Sequence, residues 1–361
     1  MRRLIPVLSA ALVLASACKH EEVKPANLPS NLQGLPQAFT CNATGNVKID
    51  LTQNVRTHLA WKDEFNGPVD DTDDSSCFTR APICGIQGYD NVSECTGYDP
   101  GKLALLNKCK WWVYKGPNYM PGIPTHNQFD PKYVEVSNGH LILSSEILST
   151  QTAGIKCNYE SGEYSGCPMA SGAIMTRPVP GVRGFNFEGG YMEMKARYDT
   201  GDHGWPAFWI LANEAWPRFG EIDIMESYAK DRNLNMAMTL HDVPIEERTN
   251  PPAGGKWTHI QTGADFWLDT TQDATYGVYW DKGDAHRLPA VWYVVNDCII
   301  GKTEYGQKVH SGGKDYQIGV PNEGKLFYAM LNLSMSLNGG LTAVGPGREK
   351  MIVDYVRYYD H

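Results

Sequence analysis

Three acidic residues lie close together in one short apolar stretch of the sequence. Glu221, Asp223 and Glu226 fall within six consecutive positions whose other members are two isoleucines and a methionine. Acidic residues are depleted from strands, so their presence in a strand-like run indicates a chemical role. Two carboxyl groups that flank a glycosidic bond can cleave it. The spacing therefore predicts a strand that carries a carboxylate-based hydrolytic site.

The parity of these acidic positions requires an irregularity in the strand. Side chains alternate along a strand, which puts Glu221 and Asp223 on one face and Glu226 on the other. A β-bulge near Ile224 and Met225 would return Glu226 to the face of the other two. Three crowded carboxyl groups cannot all ionise readily, so we expect one to keep its proton near neutral pH. The alternatives are an edge strand with charged residues facing water, or a calcium site.

Strand signals occupy most of the chain from Trp61 to the C-terminus. No amphipathic helical pattern longer than about ten residues follows the leader, and many short strands with Gly-rich turns are typical of a sandwich. An Asn-Gly dipeptide at 138–139 predicts a hairpin. The sequence therefore predicts an all-β sandwich, with strands within 133–136, 141–143, 191–197, 291–295, 326–333 and 351–358.

The N-terminus has the features of an export signal. Two arginines, an apolar run and Ala-Ser-Ala precede Cys18, so residues 1–17 are predicted to be a signal peptide. The chain has nine cysteines, and without Cys18 an even number remains for disulfides. We therefore expect a bacterial cell-envelope lipoprotein anchored to the membrane through Cys18. A freely secreted protein with one spare thiol is the alternative.

The rest of the chain divides into a polar segment and one large domain. Residues 18–55 contain several prolines and no sustained periodicity, which indicates a tether or a loosely packed arm. Residues 56–361 form the predicted sandwich domain, interrupted at about 71–166 by a Cys-rich insertion. Trp111 and Trp112 in that insertion either shape a cleft or anchor the loop to the sandwich.

Charge and motifs exclude several functional classes. The formal net charge is −9, so an acidic protein of this kind is a poor match for nucleic acid or for a strongly anionic polymer. The sequence has no paired-cysteine metal motif, no phosphate-binding loop and no serine nucleophile motif. We therefore expect no cofactor for catalysis, no nucleic acid partner and a monomer that acts on a polysaccharide.

The acidic strand resembles that of a known family. Glu221-x-Asp223-x-x-Glu226, preceded by Trp216-Pro-x-x-Gly220, is similar to the catalytic strand of glycoside hydrolase family 16, above all of its laminarinase-like members. The resemblance implies a jelly-roll β-sandwich with a concave substrate cleft. Further segments similar to the family follow in its order at 61–67, 190–197, 204–209, 331–333 and 353–357.

The resemblance also implies roles for individual residues. Glu221 matches the nucleophile, Asp223 the carboxylate that tunes it, and Glu226 the general acid and base of a retaining double displacement. His241 matches a histidine on the neighbouring strand, which either bonds to the acidic row or is structural. Asp354 is a candidate ligand for a structural calcium, or simply a polar residue at the end of the sandwich.

Tryptophans are the main candidates for sugar binding, because aromatic faces stack on sugar rings. Trp216 is the strongest of them, since it lies directly before the acidic strand in sequence. Trp209 has ordinary core packing as its alternative. The candidate substrate-binding residues are Trp205, Trp209, Trp216, His241 and Trp112.

The sequence favours an endo-acting hydrolase of β-1,3-glucan or mixed-linkage β-glucan. Laminarinase-like members carry a Gly-Asn-x-Glu-x-Gln-like segment before the first hairpin, and this chain lacks it. A hydrolase of a marine galactan such as agarose, porphyran or carrageenan therefore stays an alternative, as does a glucan transglycosylase. A non-catalytic glycan-binding protein is disfavoured, because both glutamates are present.

Overall fold

Strands make up almost all of the described chain. The structure is a computed structural model in which one 3-10 helix, Pro131–Tyr133, lies among the strands. Among the described residues, no helix is long and apolar enough to cross a membrane. The described residues are 39–41, 46–48, 55–66, 110–114, 116–117, 127–159, 162–178, 184–199, 204–213, 221–227, 237–242, 258–261, 268–285, 288–304, 308–311, 314–317, 325–335 and 349–360.

The strands are numbered in chain order. They are β1 (Phe39–Cys41), β2 (Asn46–Lys48), β3 (Leu59–Asp63), β4 (Trp112–Val113), β5 (Gly116–Pro117), β6 (Asn127–Phe129), β7 (Val134–Ser137), β8 (His140–Tyr159), β9 (Gly162–Ser171), β10 (Ala173–Met175) and β11 (Gly190–Asp199). Then follow β12 (Gly204–Ala212), β13 (Glu221–Glu226), β14 (Ala237–Asp242), β15 (Thr258–Gln261), β16 (Ala274–Asp281), β17 (Ala290–Val295), β18 (Cys298–Glu304), β19 (Lys308–Ser311), β20 (Lys314–Gln317), β21 (Phe327–Met335) and β22 (Lys350–Tyr359).

Two large sheets contain most of these strands. The larger sheet has the order β1-β2-β18-β17-β16-β11-β22-β8-β9-β6-β5, with β3 beside β22 and β7 beside β8. The smaller sheet has the order β15-β14-β13-β12-β21-β10-β4, and β19 pairs with β20 alone. Neighbouring strands are antiparallel except for β6 and β9. The acidic segment is therefore an inner strand of the smaller sheet.

The core lies between the two sheets and is built from alternate residues of each strand. Met192 and Met194 of β11 contribute to it from the larger sheet, and Phe208 and Ile210 of β12 from the smaller one. Alternate positions of one strand point to opposite faces, so each strand buries one row of side chains in this core. The predicted all-β jelly-roll sandwich is confirmed.

The predicted strands are found with small changes at their ends. Asn138 and Gly139 have φ angles of 52° and 75°, the left-handed pair that a two-residue hairpin turn requires. They join β7 to β8, and Ser137 pairs with His140 across the turn. The segments predicted at 191–197, 291–295, 326–333 and 351–358 become β11, β17, β21 and β22.

Two predicted boundaries differ from the strands that are observed. In the segment 18–55, the short strands β1 and β2 lie at the edge of the larger sheet, where β2 pairs with β18. In the predicted insertion 71–166, β4 to β8 and the first half of β9 belong to the sheets. The signal peptide and residues 67–109, where four of the insertion's cysteines lie, are outside the described residues.

Trp111 anchors the chain to the sandwich, which resolves one of the open alternatives. Its side chain is 2% exposed in the main core, and its Nε1 donates a hydrogen bond of 2.8 Å to Asp63 Oδ2. The backbone N–H of Phe65 donates to the other oxygen of Asp63 at 2.9 Å. Trp111 therefore packs in the core beside β3 instead of shaping a cleft.

The outer face of the larger sheet buries a charged cluster. Glu193 on β11 is fully buried and forms an ion pair with Arg56, whose Nε lies 3.0 Å from Glu193 Oε2. The hydroxyl groups of Tyr191 and Tyr355 donate to the same carboxylate at 3.1 and 3.4 Å. Arg56 also lies 3.0 Å from Asp297. The cluster ties the segment before β3 to the sheet.

Candidate active site

The acidic strand β13 contains an irregularity at Ile224. On the β12 side, Phe208 pairs with Met225 and Trp209 pairs with Asp223, so Ile224 has no opposite residue. On the β14 side the register also shifts between Asp223 and Glu226. One extra residue opposed to a regular partner strand is the definition of a β-bulge. The predicted bulge is therefore confirmed.

The bulge places the three acidic side chains on one face. Ile222, Ile224 and Met225 all belong to the core between the sheets. Two consecutive residues thus point inward, and Glu226 returns to the outer face of the sheet with Glu221 and Asp223. The strand is inside the sheet and not at its edge, and the exposed fractions of the three acidic residues are 6%, 2% and 6%. A water-facing edge strand is therefore ruled out.

The surroundings of Asp223 favour its protonated form. Burial raises its pKa well above the ordinary value, and the neighbouring charge of Glu226 raises it further. Its side chain forms hydrogen bonds with both Glu221 and Glu226. A carboxyl group between two others can carry a proton that keeps the cluster from accumulating three negative charges.

Two of the predicted tryptophans lie on β12 beside the acidic row and bind polar groups. Trp205 Nε1 donates to Glu226 Oε1 at 3.0 Å. Trp209 Nε1 donates to Asn332 Oδ1 at 2.7 Å. Trp209 is one of the buried hydrophobic residues, as the alternative of core packing requires, and its indole nitrogen also has a polar partner. Both indoles are buried, with 4% and 6% of their surface exposed.

Asn332 was not predicted as a site residue, although the structure places it on the same face. It pairs with Ala207, which in turn pairs with Glu226. Asn332 is buried, and its amide holds the indole of Trp209. A polar residue at the centre of the apolar strand β21 is the signal that could have identified it, because buried amides need partners.

The remaining candidate residues are only partly defined. His241 on β14 pairs in register with Glu221, as the prediction of a neighbouring strand requires, but its side chain is outside the described residues. Trp112 pairs in register with Met175 at the far edge of the same sheet, and its side chain is likewise not described. Trp216 lies outside the described residues.

Asp354 lies on the opposite sheet and is paired with a cation from the chain itself. Lys195 Nζ is 2.7 Å from Asp354 Oδ2 and 3.7 Å from Asp273 Oδ2. Calcium needs six to eight oxygen ligands, several of them carboxylates. The described residues contain no group of three or more potential metal ligands. The donors around Asp354 therefore do not fit a calcium site.

Comparison with known proteins identifies similar sequences. The sequence model described as the XgeA-like catalytic GH16 domain matches residues 196–282, which include β12 and β13. Over 252 residues the chain is 25% identical to endo-1,3-1,4-beta-glycanase EglC from Rhizobium meliloti, covering 69% of this chain and 46% of that protein. Over 369 residues it is 27% identical to keratan-sulfate endo-1,4-beta-galactosidase from Sphingobacterium multivorum, covering 99% of this chain and 66% of that protein.

The fold is also similar to that of a solved family member. A variant of SCLam, a non-specific endo-beta-1,3(4)-glucanase from family GH16, superposes with a TM-score of 0.53 at 21% identity, covering 88% of this chain and 99% of that chain. The chain spans about half the length of the Rhizobium relative, so that protein's activity does not transfer as a whole. The acidic strand, the sandwich and the matched segment agree with one another: residues 196–282, which contain β12 and β13, are similar to a family 16 catalytic domain, and the fold is similar to that of a family 16 glucanase.

Proposed function

We propose that the protein is a retaining, endo-acting glycoside hydrolase that cleaves β-1,3-glucan or mixed-linkage β-glucan. The observation that carries this proposal is the bulge at Ile224, which places Glu221 and Glu226 on one face with Asp223 between them. A nucleophile and an acid on the same row is the arrangement that a double displacement needs.

The reaction assigns one role to each carboxyl group. Glu221 attacks the anomeric carbon and forms an ester with the sugar, while Glu226 gives its proton to the leaving glycosidic oxygen. In the second step water attacks the same carbon, Glu226 takes a proton from that water, and Glu221 is released. Asp223 forms hydrogen bonds with both glutamates, and its own raised pKa favours a protonated carboxyl group at this position. Carboxyl groups and water suffice for this chemistry.

The relatives and the charge support a glucan as substrate. The Rhizobium relative is named an endo-1,3-1,4-beta-glycanase, and the matched domain of this chain contains the acidic strand. A formal net charge of −9 disfavours a densely sulfated polymer, which would need basic side chains in the cleft. A neutral glucan has no such requirement.

A galactoside is the second candidate, and one specific observation favours it. The alignment with the keratan-sulfate endo-1,4-beta-galactosidase extends over 99% of this chain, whereas that with the Rhizobium glycanase covers 69%. The longer alignment therefore includes the predicted Cys-rich insertion at about 71–166. The same three carboxyl groups would carry out the reaction on either polymer.

A substrate screen combined with product analysis tests the proposal. Purified protein is incubated with laminarin, mixed-linkage glucan, agarose, porphyran, carrageenan and keratan sulfate, and the oligosaccharides are identified. Release of glucan oligosaccharides of mixed length is the expected result. Cleavage of keratan sulfate or agarose with none of laminarin or mixed-linkage glucan would replace the glucan by a galactan.

The stereochemistry of the first product tests the roles of the two glutamates. Proton NMR of a fresh digest should show the β-anomer before mutarotation, because two displacements at one carbon retain its configuration. Glu226→Ala should nearly abolish cleavage of the polymer, retain formation of the glycosyl-enzyme on an activated aryl glycoside and respond to added azide. An inverted first product would remove the nucleophile role from Glu221.

A further inference from the structure

The hydrogen bond between Trp205 and Glu226 has a consequence for the proton that Glu226 transfers. The indole nitrogen of Trp205 lies 3.0 Å from Glu226 Oε1, and both side chains are buried. An indole N–H is a donor and never an acceptor. The carbonyl oxygen of a carboxylic acid is a better acceptor than its hydroxyl oxygen, so this bond favours the form in which Oε1 is unprotonated. The transferable proton of Glu226 is then on Oε2.

We propose that Trp205 is a positioning residue for Glu226, which selects Oε2 as the oxygen that protonates the leaving group. This inference rests on the proposed role of Glu226 as general acid and base. It assigns to Trp205 a role other than sugar stacking, for which the resemblance to the family made it a candidate.

The backbone next to Trp205 holds the same residue from a second direction. The carbonyl oxygen of Pro206 accepts a hydrogen bond of 3.2 Å from the N–H of Ser227, the residue after Glu226. Ala207 pairs directly with Glu226 across the two strands. The short segment Trp205 to Ala207 therefore fixes the carboxyl group, the Cα position and the following peptide of the proposed acid. The segment is part of an inner strand, paired with β13 on one side and β21 on the other.

The indole N–H also changes the energy of the two protonation states. A donor that points at a carboxyl oxygen stabilises the ionised form more than the neutral form, which lowers the pKa of the acid. When the donor is removed, we expect the pKa of Glu226 to rise. The descending limb of the pH profile of kcat/KM should follow it, because the reaction needs protonated Glu226. A hydrogen bond to a charged group corresponds to a shift of roughly one pH unit.

The test compares Trp205→Phe with Trp209→Phe. Trp209 is the matched control because it lies on the same strand and face, is equally buried and also loses an indole hydrogen bond, but to Asn332 instead of Glu226. We measure kcat/KM against pH for each variant on the polymer cleaved by the wild-type protein and on an aryl glycoside with an activated leaving group. Trp205→Phe should shift the descending limb of the kcat/KM profile to higher pH. It should also lose several-fold more activity on the polymer than on the aryl glycoside. Trp209→Phe should lose activity on both without moving that limb.

A sulfur isostere separates the N–H from the shape of the ring. Replacing Trp205 by benzothienylalanine keeps the bicyclic ring and removes only the donor, so this variant remains informative if Trp205→Phe does not fold. It should reproduce the upward shift of the basic limb. If the limb stays at its wild-type position in the isostere, Trp205 does not position the proton of Glu226.

The outcomes distinguish this inference from the proposed function. If the wild-type protein cleaves no glycan, or if Glu226→Ala leaves cleavage of the polymer intact, the proposed function itself fails. If the wild-type protein is active and Glu226→Ala behaves as an acid–base variant, an unmoved basic limb in both Trp205 variants overturns only the inference. An upward shift in both variants, absent from Trp209→Phe, supports it.

Discussion

Arg56→Ala should destabilise the protein by about 3 kcal/mol, because it leaves a buried charge on Glu193. Glu193 has no exposed surface, and Arg56 provides its only cationic partner among the described residues. Removing one partner of a buried ion pair typically costs about 3–5 kcal/mol. The hydroxyl groups of Tyr191 and Tyr355 still donate to the carboxylate at 3.1 and 3.4 Å, which places the expected cost at the lower end.

Thermal denaturation measures this effect directly. A loss of about 3 kcal/mol should lower the Tm by roughly 6–12 °C in a domain of this size. Arg197→Ala is the matched control, since Arg197 pairs with Asp273 on the same sheet but both side chains are 33% exposed. An ion pair at that exposure contributes about 1 kcal/mol or less, so its Tm should change little.

A double-mutant cycle isolates the charge. In a Glu193→Gln background no buried carboxylate remains, so Arg56→Ala should cost clearly less than it does in the wild-type background. If Arg56→Ala lowers the Tm no more than Arg197→Ala does, the ion pair between Arg56 and Glu193 does not stabilise the packing of the segment before β3 on the larger sheet.

Three further predictions concern the acidic row, the core and export. Asp223→Asn should raise the Tm at neutral pH but not near pH 4. The pKa of Asp223 is higher in the folded protein than its ordinary value of 3.8, so the wild-type protein loses stability as the pH rises above 3.8. Asparagine cannot ionise, so the variant does not lose this stability. A Tm difference that is independent of pH would contradict the raised pKa. Trp111→Phe should cost about 1.5–3 kcal/mol more than Trp280→Phe, because Trp111 donates to buried Asp63 whereas the indole nitrogen of Trp280 has no hydrogen-bond partner among the described residues. Equal Tm losses in the two variants would refute it. We propose that the mature protein carries lipid on Cys18, so the wild type should partition into detergent and Cys18→Ser should not; a wild-type protein that stays in the aqueous phase would favour free secretion.

The sequence determined the acidic row and much of the strand pattern. The strand period of two and the spacing of Glu221, Asp223 and Glu226 demanded an extra residue near Ile224, and the structure has it there. The Asn-Gly dipeptide at 138–139 likewise predicted its hairpin, because the two φ angles it needs are open to few residues. Such features depend on neighbours within a few positions along the chain.

Other features were decided only by the tertiary structure. The spacing of Trp205 and Glu226 along the chain does not reveal that the indole donates to the acid, since that contact depends on the register between β12 and β13. The ion pair between Arg56 and Glu193 depends in the same way on a contact between residues 137 positions apart. Register and long-range pairing follow from how two sheets close around one core. A local pattern therefore predicts which side chains share a face of one strand, whereas only the assembled sheets decide which side chains meet.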